Sequence, residues 1–65
     1  MIKEFLEGKL GIVSDMEFNF ADRIVQNFIR GELGGYTSEE NKKNLMLETI
    51  RRLRDYNLYR FEEWA

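Results

Sequence analysis

Gly34-Gly35-Tyr36-Thr37-Ser38 interrupts two long amphipathic arms, and this break constrains the fold more than any other feature of the chain. Before it, Phe20, Ala21, Ile24, Val25, Phe28, Ile29 and Leu33 recur at the three- and four-residue steps of an α-helix. After it, Leu45, Met46, Ile50, Leu53 and Tyr56 do the same. A glycine pair followed by two hydroxyl caps turns one apolar stripe back on the other. The expectation is an antiparallel helical hairpin with Ile24, Phe28, Ile50 and Leu53 as its core.

Local signals place the ends of the arms. Ser14-Asp15-Met16-Glu17 matches a capping box, in which the Ser14 hydroxyl serves an orphan amide and Glu17 reaches back; Asp15 and Glu17 also set negative charge at the positive helix end. This helix is expected to run to about Leu33, with Gly34 or Gly35 taking positive φ. Thr37 or Ser38 caps the next helix, and Glu39 and Glu40 occupy its first turn. The spacing Met46, Ile50, Leu53 continues through Asn57 to Phe61 and Trp64. It describes either one helix of about 27 residues, roughly 40 Å, or two helices broken near Asn57.

Ile2 to Gly8 reads as a short helix with Ile2, Phe5 and Leu6 on one side, ended by Gly8 or Gly11, and Leu10-Gly11-Ile12-Val13 as an apolar linker closing the bottom of the core. The fold class expected is all-α: a single domain over residues 1–65, with a short N-terminal helix and a long antiparallel hairpin in a three-helix arrangement. A first arm of about 16 residues spans roughly 24 Å, so the far half of the longer helix needs cover from Phe5 and Leu6 or from a second protomer.

Sixty-five residues without cysteine or histidine leave few routes to chemistry. Thiolate catalysis, histidine-based general acid–base work and the usual zinc sites are all removed. Asp15, Glu17 and Asp22 form the densest acidic group, but Asp15 and Glu17 lie two apart at a helix start and diverge, and no calcium-loop pattern surrounds them. Ser14, Thr37 and Ser38 have no activating base and serve as caps. Gly31-Glu32-Leu33-Gly34-Gly35 lacks the preceding strand and following lysine of a phosphate loop. The expectation is no enzyme, no cofactor and no metal. No stretch approaches the roughly 20 apolar residues of a membrane span, and Met1-Ile2-Lys3-Glu4-Phe5-Leu6 lacks a leader's apolar core, so a mature, soluble, cytoplasmic protein is expected.

Two surfaces remain as candidate binding sites. Aromatic residues make up 14 % of the chain, which is high for so small an interior. Tyr56, Leu58, Tyr59, Phe61 and Trp64 are residue types that anchor protein interfaces, and they point to a protein partner or a homodimer in which Asn57 sets register. The alternative is a small nucleic-acid-binding regulator using Lys42, Lys43, Arg51, Arg52 and Arg54. Against it, the formal net charge is −2, and Glu48 and Asp55 sit at pairing distance along the same helix. Function is therefore expected to be non-catalytic, through helix-mediated binding.

Overall fold

The computed structural model describes the backbone of residues 1–64 and the side chains of residues 1–56. Three helices follow one another with no strand among the described residues: α1 (Ile2–Leu10), α2 (Asp15–Glu32) and α3 (Glu39–Trp64). Both α1 and α2 lie against α3, which is the spine of the molecule. It is helical through Asn57, the point at which the apolar spacing left a break open.

Each boundary has a local cause. Ser14 Oγ accepts from the Glu17 amide at 3.1 Å, and Ser38 Oγ accepts from the Asn41 amide at 3.1 Å, so a serine starts each long helix. The Asn41 side-chain amide adds a 2.7 Å bond to Thr37 Oγ1. At the end of α2 the amides of Leu33 and Gly35 both donate to the Ile29 carbonyl, at 3.0 and 2.9 Å. That turn needs Gly34 at φ 71° and Gly35 at φ 91°, a region side chains with a Cβ avoid. The end of α1 differs by two residues from the earlier of the two glycines considered: Gly8 stays inside the helix, and Gly11, at φ 82°, closes it.

The buried core consists of Leu6, Val13, Ala21, Val25, Ile29, Met46, Leu47 and Ile50. Ile2, Phe5, Leu10, Phe18, Leu45 and Leu53 pack around it. The linker thus contributes Val13 to the interior, while Ile12 beside it is exposed. Of the four residues expected to form the hairpin core, only Ile50 is fully buried. Leu53 is half-buried, and Ile24 and Phe28 remain 39 % and 43 % exposed. The correction is a rotation of α2 by one residue, about 100°. Its buried stripe is Ala21, Val25 and Ile29. The small Ala21 and the β-branched pair allow a close approach to α3, and the bulkier stripe Phe20, Ile24, Phe28 is turned to the side.

A candidate protein-binding groove between α2 and α3

The rotation of α2 leaves it with two apolar stripes, one spent on the core and one that is not. Met16, Phe20, Ile24 and Phe28 follow at four-residue steps and expose 50, 40, 39 and 43 % of their surface. Between this stripe and α3 runs an apolar furrow. One hollow of about 340 Å³ is lined by Ile24, Val25, Phe28, Leu45, Glu48, Thr49 and Arg52. A second shares Ile24, Thr49 and Arg52 with it and continues to Leu53 and Tyr56. Tyr56, 88 % exposed, stands at the end of the furrow. On the outer flank of α2, Met16, Asn19, Phe20 and Arg23 surround a shallower depression.

The register of the hairpin is set by a polar clasp. The Arg54 guanidinium donates to Glu17 through Nε at 2.7 Å and Nη2 at 2.9 Å. It also donates to the carbonyls of Leu10, at 3.2 Å, and Ile12, at 2.9 Å. Glu17 is only 4 % exposed. The Arg54 charge is held above its ordinary pKa by the hydrogen bond to Glu17, with desolvation opposing. Glu17 was expected to fold back on its own helix in a capping box. Its side chain instead crosses to α3, because it prolongs the buried stripe Ala21, Val25, Ile29 by one four-residue step. Arg54 prolongs Met46 and Ile50 in the same way, so the two meet at the open end of the same ladder. Both facts were present in the spacing, as a carboxylate and a guanidinium sitting on apolar stripes.

The other acidic residues weighed as metal ligands are likewise engaged with cations. Lys3 meets Asp15 at 2.6 Å, and Lys42 meets Asp22 at 3.7 Å. Asp15, Glu17 and Asp22 thus face three different partners, and no three acidic side chains converge among the described residues.

The cations of the alternative nucleic-acid face are spread around α3 rather than collected. Lys42 is taken by Asp22, and Lys43 lies 5.7 Å from the Phe5 ring centre. Arg51 stands 4.0 Å from Glu48, and Arg54 is locked into the clasp. Arg52 alone of the five lines the furrow without a hydrogen bond, ion pair or ring contact among the described residues. Arg23, on the flank of the exposed α2 stripe, is in the same condition. Of the expected partner-binding residues, Tyr56 lies on the furrow; the side chains of Leu58, Tyr59, Phe61 and Trp64 fall outside the described residues. The residues that sequence reasoning missed as a surface are Phe20, Ile24 and Phe28, which it had spent on the core or left unassigned. The signal was an apolar arc on α2 wider than one neighbouring helix covers.

No helix among the described residues is long and apolar enough to cross a membrane. No protein-family model, curated protein or solved structure matches this chain.

Proposed function

We propose that this is a non-catalytic interaction or accessory protein, which binds another protein chain or its own copy through the furrow between α2 and α3. The observation that carries this reading is the apolar wall that α2 gives the furrow: Ile24 and Phe28 stay about two-fifths exposed, with Tyr56 beyond them. Apolar surface gathered in this way, rather than scattered singly, marks an interaction site. Its shape is that of a groove accepting an apolar helix face. Tyr56 lines this surface, and Leu58, Tyr59, Phe61 and Trp64, which lie outside the described side chains, are residue types that suit the same role. The lack of cysteine suits a reducing, cytoplasmic setting.

A nucleic-acid-binding role has less support, because four of the five cations proposed for it are engaged within the chain. The test is comparison of wild type with Phe28→Ser/Tyr56→Ser. Both should show the same helical content, while self-association and affinity capture of a protein from the source cell are lost in the variant. Association and capture that both ignore the substitutions would remove the furrow as the binding surface. Steeply salt-dependent binding of a labelled duplex would favour the nucleic-acid role instead.

A further inference from the structure

We infer that the occupant of the furrow is a second copy of this chain, set across a two-fold axis that passes close to Thr49. This inference rests on the furrow being a protein-binding surface, and it names the partner.

The first support is area. Of the residues that line the furrow, Ile24, Phe28 and Tyr56 expose 39, 43 and 88 % of their surface, while Met16 and Phe20 lie on the outer flank of α2. With roughly 200 Å² for an aromatic side chain, the furrow offers about 330 Å² of apolar surface. Two such faces closed on each other remove about 650 Å² of apolar area from water, and the polar rim adds to it, which is the size of a weak, transient contact. The association expected of the face with its own image is therefore weak and reversible.

The second support is charge. A two-fold contact must be self-complementary: whatever one copy presents, the other must answer. Glu48 and Arg52 both line the furrow and lie four residues apart on one face of α3. With α3 antiparallel to its mate and the axis near Thr49, Arg52 of each copy lies level with Glu48 of the other, so the pair forms twice. Arg52 has no partner of its own among the described residues, and Glu48 has only the 4.0 Å contact to Arg51, with its side chain 61 % exposed. Thr49 lies between the two charged positions along α3, and Ile24 and Leu45 line the same hollow, so the apolar surfaces close beside two symmetric ion pairs.

The two charges allow a test that a merely structural role cannot imitate. Arg52→Glu makes a copy with Glu at both rim positions; Glu48→Arg makes one with Arg at both. Each variant repels itself across the axis, and the two attract one another. Sedimentation equilibrium from about 1 μM to about 1 mM should show wild type in monomer–dimer exchange. Each variant alone should weaken dimerisation by about tenfold or more, and their equimolar mixture should return to wild-type association as a heterodimer. Tyr56→Ser, which leaves the charges alone and changes an exposed residue of the furrow, should also weaken it, and this covers the case in which a charge variant fails to fold.

Wild type that sediments as a monomer throughout overturns the inference. So does a dimer indifferent to these substitutions, or a mixture with no rescue. If a monomeric wild type still captures another protein through Phe28 and Tyr56, the second copy is removed and the proposed function stands. If capture is also independent of them, both fall.

Discussion

Glu17 and Arg54 are thirty-seven positions apart and share two hydrogen bonds, Arg54 Nε to Oε2 at 2.7 Å and Nη2 to Oε1 at 2.9 Å. Through the further bonds of Arg54 to Leu10 and Ile12, this pair joins the start of α2, the α1–α2 linker and the body of α3. It also fixes the level of the two long helices. Beyond it along the two helices Ala21, Val25, Met46 and Ile50 are all buried to 1 % exposure or less.

Removing one member of the clasp should therefore cost more than removing both. Arg54→Ala strands a buried carboxylate and is expected to lose about 3 kcal/mol, the low end for a buried pair because the arginine side chain is partly solvated. Glu17→Leu/Arg54→Met, which replaces the pair with apolar side chains of similar length, should recover most of that. Urea denaturation of the single and double variants measures the difference. A single variant as stable as wild type would show that the clasp contributes nothing.

The rotation of α2 predicts an order of side-chain importance. Ile50→Ala and Met46→Ala each empty a fully buried site and should cost about 2–5 kcal/mol, a large share of the 5–15 kcal/mol of a typical domain. Phe28→Ala, on the exposed stripe, should cost about 2 kcal/mol, the least of the three, since 43 % of its surface is already in water. Thermal melts of the three variants, run below the concentration at which any association begins, check the order. Should Phe28→Ala melt lowest, the core has been placed on the wrong stripe.

The turn after α2 makes a stereochemical prediction. Gly34 and Gly35 have φ of 71° and 91°, and an added Cβ at either meets no atom within 4 Å. Any cost of L-alanine there is conformational, about 1 kcal/mol for each residue. D-alanine prefers positive φ and also reduces the freedom of the unfolded chain, so it should stabilise the protein relative to glycine. A chain this short is open to chemical synthesis, and melting of the L- and D-alanine forms supplies the comparison. Equal melting of the two would remove the positive-φ turn.

Lys3 and Asp15 tie α1 to the start of α2 and give stability a defined pH window. The hydrogen bond from Lys3, then its charge, holds the Asp15 pKa below the ordinary 3.8. The same hydrogen bond holds Lys3 above 10.5, against a smaller desolvation. The Asp15 contribution is complete above 3.8 and disappears as pH falls through the lowered native value. The Lys3 contribution is complete below 10.5 and disappears as pH rises through the raised one. Both groups are solvated, so the effect is small and screened by salt. Melting temperatures of wild type and Lys3→Met should differ most between these limits and converge outside them. A difference that is constant with pH would show that the pair does not form.

Caps, turns and helix content were legible in the chain because they depend on residues close in sequence. Ser14 and Ser38 accept from amides three positions on, and Gly34 and Gly35 supply a conformation set by their own lack of a Cβ. The hairpin follows from these signals together with two apolar periodicities. What the chain left open is which side of each helix turns inward. On α2 the stripes through Phe20 and through Ala21 are both apolar and differ by one residue, so periodicity cannot choose between them. The choice depends on how closely α2 approaches α3, on where α1 and Val13 fill the remaining side, and on the Glu17–Arg54 bond that locks the level of the two helices. These are contacts between residues far apart in the chain, and only the tertiary structure brings them together. It buries Ala21, Val25 and Ile29 in the core, turns Ile24 and Phe28 to the furrow, and leaves Phe20 on the outer flank of α2.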